Sequence, residues 1–125
     1  MIVAVDFDGT IVSNAWPRIG IINQHTKDFI LWLQKNRHTW ILLTMREGEK
    51  LQEAVDFCKE HGLNPDYVND NTKELIEHFG NNPRKIYADI YIDDHIPFSV
   101  DYQVYWARDR IIEATAHADI QTESR

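Results

Sequence analysis

Apolar residues in this chain follow two patterns. In some places they form short unbroken runs, as in Ile2-Val3-Ala4-Val5, Thr39-Trp40-Ile41-Leu42-Leu43 and Ile90-Tyr91-Ile92. Runs of this length, bounded by polar and turn-forming residues, predict strands buried on both faces. Pro65-Asp66-Tyr67-Val68 predicts a shorter strand near a sheet edge, and Tyr102-Gln103-Val104-Tyr105-Trp106 a fifth. Elsewhere the apolar residues recur every three or four positions, the period of a helix with one buried face. Phe29, Ile30 and Leu33 predict a helix over 27–36, capped by Thr26, with Leu31 on the opposite side. Leu51, Ala54, Val55 and Cys58 predict one over 48–61, stopped by Gly62. Leu75, Ile76 and Phe79 belong to a helix that begins at Asn71 or Thr72 and ends at Gly80. A last helix is expected from Arg108 to about His117, and a frayed polar end over 119–125.

Strands alternating with helices imply an α/β fold, a mostly parallel sheet with helices on both faces. Residues 11–25 show neither period and contain Pro17 and Gly20, so they are expected to loop over the end of the first strand. No repeat, low-complexity tract or linker interrupts the chain, and its 125 residues suit a single domain, 1–125.

Composition narrows the class. With 43% hydrophobic and 26% charged residues the chain has the balance of a soluble globular domain. The longest apolar run, Phe29 to Leu33, is far too short to span a bilayer, and the first strand meets Asp6 too early for a signal peptide. The net charge of −7 argues against nucleic acid and anionic membranes as partners. Cys58 is the only cysteine, which fits a reducing cytoplasm. The six histidines lack the close pairing of a zinc site and are expected to be solvated.

The chemistry begins where the first strand ends, at Asp6-Phe7-Asp8-Gly9-Thr10. In extended geometry Asp6 and Asp8 point to one side and Phe7 to the other. In open α/β sheets ligands bind at the carboxyl ends of strands. Two like charges at the edge of a core require a cation or a proton between them, which makes a functional role the better reading.

This stretch resembles the first motif, D-x-D-G-[TV], of the haloacid dehalogenase (HAD) superfamily of phosphatases and phosphotransferases. Three further positions match that family's motifs in order: Thr44 closing a strand, Lys85 ahead of the fourth strand, and the acid pair Asp93-Asp94 after it. The resemblance implies a Rossmann-like three-layer sandwich with strand order 5-4-1-2-3. It also implies Mg²⁺-dependent hydrolysis of phosphomonoesters through a phosphoaspartate. Asp6 would be the nucleophile. Asp8 would be the general acid and base, so it must be able to hold a proton. Asp6, Asp93 and the Asp8 main-chain carbonyl would hold Mg²⁺, with Asp94 acting through water or orienting Lys85. Thr44 and Lys85 would bind the phosphate. Asp89 is expected to be structural.

Two arginines lie outside those motifs. Arg46, two residues beyond Thr44, and Arg18, in the loop after the nucleophile, are each candidates for a second phosphate or carboxylate contact, against the alternative of a solvent-exposed arginine. The run from Lys85 to Asp94 is also similar to a group of small HAD proteins labelled as capsular polysaccharide biosynthesis proteins, which suggests a sugar phosphate or glycan precursor as substrate.

The loop 11–25 is too short for the inserted cap domain of most HAD phosphatases, so a capless member is expected, with Trp16 and Arg18 in the only candidate lid. Such a site needs a large substrate or the surface of a second copy to exclude water, with Trp16, Arg18 and Leu31 as the candidate contacts. The competing readings are a receiver-like signalling module phosphorylated on aspartate, and a catalytically silent HAD-like binding protein.

Overall fold

A computed structural model describes the backbone of residues 1–123 and the side chains to residue 118. The elements follow the order β1 (Ile2–Asp6), α1 (Gln24–Lys35), β2 (Thr39–Leu43), α2 (Gly48–Glu60), β3 (Tyr67–Val68), α3 (Lys73–Phe79), β4 (Ile90–Ile92) and α4 (Val100–Glu123). The four strands form one parallel sheet in the order β3-β2-β1-β4. β1 is central, paired with β2 from Ile2–Thr39 to Asp6–Leu43 and with β4 from Val3–Ile90 to Val5–Ile92. Loop 7–23 alone separates β1 from α1, and α2, β3 and α3 alone separate β2 from β4.

The strands are buried because both their faces are covered. Val3, Val5, Trp40, Leu42, Ile90 and Ile92 face α1, α2 and α4, which contribute Phe29, Ile30, Leu33, Ala54, Cys58, Val104, Ala107 and Ile111 to the same core. Cys58 is sealed in this core, and burial pushes its thiol up to about 12, so it packs and does not react. The opposite face is thinner. Ala4 and Ile41 meet Ala88, with Ile2, Leu43, Tyr67 and Ile86 around them. α3 stands on that side, tied by its Lys73 N–H to the Tyr67 hydroxyl at 3.1 Å, and buries none of its residues. Gly80 closes α3 at a φ of 73°, a left-handed conformation that favours glycine.

Three local expectations are corrected. The fifth strand does not form: 102–106 lies within α4, so the sheet has four strands and the order 5-4-1-2-3 loses its first member. Ser99 caps this helix, its hydroxyl accepting the Tyr102 N–H at 3.2 Å. Val104, Ala107 and Ile111 then recur at helical spacing into the core. α1 begins earlier than expected, because Asn23 is its cap, accepting the N–H groups of His25 and Thr26 at 3.0 and 3.3 Å. Thr26 is buried inside the helix instead. Helical backbone continues to Glu123, and 124–125, part of the stretch expected to fray, lie outside the described residues.

Asp89 has the structural role expected of it. It accepts the Ile2 N–H and the Tyr87 hydroxyl, each at 2.8 Å, and so fastens the start of β1. Without a fifth strand, β4 is an edge strand, and a groove of about 300 Å³ lined by Tyr91, Phe98, Tyr102 and Trp106 runs beside it. No helix among the described residues is long and apolar enough to cross a membrane.

The helical assignment of 102–106 can be tested at Tyr105, whose side chain is exposed. Tyr105→Pro should lower the unfolding free energy in urea by about 3 kcal/mol or more, the effect of proline inside a helix. An edge strand would tolerate the same proline far better.

Candidate active site

The site is assembled at the carboxyl ends of β1, β2 and β4. β1 ends at Asp6, and the carbonyl of the buried Phe7 then accepts the N–H groups of Thr10, Ile11 and Val12 at 3.0 to 3.2 Å. That tight turn needs Gly9 at a φ of +90°. A side chain at Gly9 would also collide with the Asp94 carboxylate. The turn brings Thr10 back over the strand end, where its hydroxyl donates to Asp6 Oδ2 at 3.0 Å and accepts the Asp94 N–H at 3.1 Å. One buried threonine therefore joins the end of β1 to the end of β4.

Beyond β4 the acid pair is held by its main chain. The Gln103 side chain on α4 accepts the Asp93 N–H at 3.0 Å and donates to the Asp93 carbonyl at 2.8 Å. Asp93 Oδ1 accepts the N–H of His95 at 2.9 Å, and His95 Nδ1 stands 3.2 Å from both Asp93 and Asp94. The hydrogen bond to Asp93, followed by the charge of Asp94, raises the imidazole above its usual pKa. Asp94 stands within hydrogen-bond reach of the Asp6 carboxyl, with the charge of Asp93 nearby. Burial first, then these two neighbours, push Asp6 up to about 7.

This crowding fits a divalent cation. Asp6, Asp93 and Asp94 supply the oxygen donors that suit a hard ion such as Mg²⁺. The ligand atoms of Asp93, Asp94 and His95 lie within 4.8 Å of one another. Asp94, expected to act through water or on Lys85, is the member of the pair against Asp6.

At the end of β2, Asn69 grips Thr44 from both sides, accepting its N–H at 2.9 Å and donating to its carbonyl at 3.0 Å. The Thr44 hydroxyl accepts the Arg46 N–H at 3.0 Å, which leaves its own proton free to donate. This turn sends the Arg46 side chain inward. Its Nε and Nη2 donate to the two carboxylate oxygens of Asp8, both at 2.8 Å. Nη2 also reaches the Arg18 carbonyl at 2.9 Å. The guanidinium lies between the rings of Phe7 and Trp16, 5.3 and 5.0 Å from their centroids.

Several expected site residues are placed differently from the sequence reading. Arg46 is neither solvent-exposed nor free for a substrate anion: it is 2% exposed and committed to Asp8. Asp8, expected to carry a proton, has both oxygens held by that guanidinium. Arg18 offers its carbonyl to Arg46, while the groove it lines lies along α2 with Lys50, Glu53 and Asp56. Lys85 is exposed beside Leu75 and Phe79, and among the described residues its ammonium forms no ion pair. Trp16, 56% exposed, stands with its ring against the Arg46 guanidinium. Sequence reasoning missed His95, Asn69 and Gln103. Only His95, next to the acid pair, carried a signal that could have found it.

Fold and site together define an α/β protein whose parallel strands gather carboxylates at their carboxyl ends. No family model and no curated protein matches the chain. Among solved structures it is similar to a conserved protein from Bacteroides thetaiotaomicron, with 39% identity over 96% of each chain and a TM-score of 0.74. The chain belongs to the family of that conserved protein.

The raised pKa of Asp6 sets a pH dependence for the cation-free protein. Unfolded, the group ionises near 3.8; folded, it keeps its proton up to about 7. The folded state thus binds more protons within that window, and its stability falls as pH rises. In chelator, the thermal midpoint should fall between pH 5 and 7 more steeply than in Asp6→Asn. A slope unchanged by that substitution would place its cause elsewhere.

Proposed function

We propose that the protein is a Mg²⁺-dependent phosphomonoester hydrolase of the HAD type, with Asp6 as the nucleophile. The observation that supports this reading best is the Thr10 hydroxyl, which ties Asp6 at the end of the central strand to Asp94 beyond β4 and so gathers three carboxylates in one place. A cluster like this stabilises nothing by itself, and it becomes favourable when a divalent cation is bound. Asp6, Asp93, Asp94 and the Asp8 main-chain carbonyl would hold the ion. When bound, it would supply positive charge to the phosphate oxygens and to the ionised Asp6.

The chain's own residues account for the remaining steps. Ionised Asp6 attacks phosphorus in line with the ester oxygen, forming an acyl phosphate as the P–O bond to the alcohol breaks. Asp8 gives the departing oxygen its proton, then takes one from the water that hydrolyses the acyl phosphate. Thr44 donates its free hydroxyl proton to a phosphate oxygen. Lys85, which stands exposed beside Leu75 and Phe79, would have to swing its ammonium round to the phosphate, and Trp16 helps to exclude water. The resemblance favours a sugar phosphate or a glycan precursor, and the missing cap favours the larger of these, whose remote parts orient the ester. The finer three-layer HAD-like arrangement belongs to this same proposal.

Hydrolysis of p-nitrophenyl phosphate tests the reading directly. Activity should require Mg²⁺, disappear in EDTA and return on adding Mg²⁺ back. Asp6→Asn should abolish it while the protein stays folded. Full activity in chelator, or in Asp6→Asn, would sink the mechanism. No hydrolysis by the wild type would favour a receiver-like or silent binding protein.

The phosphate grip has its own expected order of effects. Lys85→Ala should reduce kcat/KM by the equivalent of about 2–4 kcal/mol, as for other charged or oxyanion contacts. Thr44→Val, losing one neutral hydrogen bond, should cost about 1 kcal/mol. An unaffected Lys85→Ala would remove the lysine from the site.

A further inference from the structure

We infer that Arg46 is a positioning residue that latches the tip of the loop between β1 and α1 to the Asp8 carboxylate, so that the tip stays closed only while Asp8 is held. The contacts converge on one group. Arg46 donates to both oxygens of Asp8 at 2.8 Å, to the Arg18 carbonyl at 2.9 Å and to the Pro17 carbonyl at 3.4 Å. The Trp16 ring covers the same guanidinium at 5.0 Å. Three consecutive residues of the tip therefore depend on one side chain, which is itself 1% exposed. The base of the loop is secured separately, by main-chain bonds between Ser13 and Ile21 and between Asn23 and Ile11, each 2.8 Å. Among the described residues, its tip has no comparable main-chain pairing with the sheet.

A guanidinium cannot shed its charge by losing a proton. If Asp8 withdraws, Arg46 is left as a buried charge without its direct partner, which is strongly unfavourable, and it must move towards water or another anion. The carbonyls of residues 17 and 18 then lose their donor. Loop and acid are thus coupled by one set of bonds. The catalytic consequence rests on the phosphatase reading: each Asp8 oxygen already accepts one guanidinium N–H, so the latch fixes where the acid points and opening it re-aims the carboxylate.

The test reads the loop without using activity. Trypsin cuts after Arg18, at the same carbonyl that Arg46 holds. Arg46→Gln and Asp8→Asn should each speed that cut at least about tenfold, because cleavage follows the population of the open loop. Arg46→Lys, which keeps the charge but cannot fork, should fall between them and the wild type. The double variant should cut no faster than Arg46→Gln. Bonds after Lys59 and Arg110, inside helices, should stay protected. Wild-type protection in Asp8→Asn, or multiplying rates in the double variant, would overturn the latch. If a variant unfolds, opening the helical bonds as well, Arg46→Lys decides. Faster cleavage at Arg18 alone supports the latch, and an unchanged rate overturns it. Absence of p-nitrophenyl phosphate hydrolysis in the wild type would refute the phosphatase reading and leave the cleavage result standing.

Discussion

A buried guanidinium holding a carboxylate at both oxygens is the constraint on which the working end of this fold depends. The register of β1 on β2 ends with Asp6 opposite Leu43, and Asp8 and Arg46 lie just past that pair, beyond the ends of the two strands. Their side chains meet at 2.8 Å, under the rings of Phe7 and Trp16. A buried ion pair is a poor source of net stability, because both charges must be stripped of water. What it supplies here is geometry. It ties together the turn after β1, the strand end that carries Thr44, and the tip of the loop that covers them.

The same pair shows where sequence reading stops. Asp8 and Arg46 were each visible as candidates, but nothing in a linear pattern says that they satisfy one another. That fact depends on the Thr44 hydroxyl turning the chain by accepting the Arg46 N–H. The central elements were legible because their signals were strong. Unbroken apolar runs marked β1, β2 and β4, and Thr72 with Gly80 marked the ends of α3. The misread elements had competing signals. Tyr102 to Trp106 are strand-favouring residues by type, but Val104, Ala107 and Ile111 share a face and bury against the other helices. Packing overrode intrinsic preference there. Thr26 looked like a cap, yet Asn23 took that place because its carbonyl oxygen reaches two orphan N–H groups. The acids at the site were legible by spacing. The alignment of Asp93 by Gln103 and of Thr44 by Asn69 was not, because the partners are 10 and 25 residues away in the chain.

The chain's charge distribution then explains why this end is so heavily fastened. Three carboxylates gather around the end of β1, and one of them is half-buried with a raised pKa. Left alone, such a group works against folding at neutral pH. The fold tolerates it because the strands beneath are sealed by Val5, Trp40, Leu42 and Ile92, all 2% exposed or less. Thr10 and Gln103 hold the main chains of Asp94 and Asp93 by neutral hydrogen bonds, and Asn69 does the same for Thr44. None of these adds charge to the cluster. The fixed guanidinium nearby, Arg46, is matched to Asp8, and His95 is the group that Asp93 and Asp94 share among the described residues, so Asp6 receives no guanidinium.

That division has a chemical logic. If Arg46 paired with Asp6 or Asp94, the cluster would be neutralised internally and its attraction for a cation would fall. Because the guanidinium is instead committed to Asp8 and to the carbonyls of the loop, the remaining acids keep their need for an external positive charge. Arg46 thus stabilises the covering loop, while the carboxylates stay available for a ligand. Among the described residues this short loop is the segment whose Trp16 ring and carbonyls gather on the guanidinium. The interaction that fixes the loop is therefore also the one that withholds a guanidinium from the acid cluster.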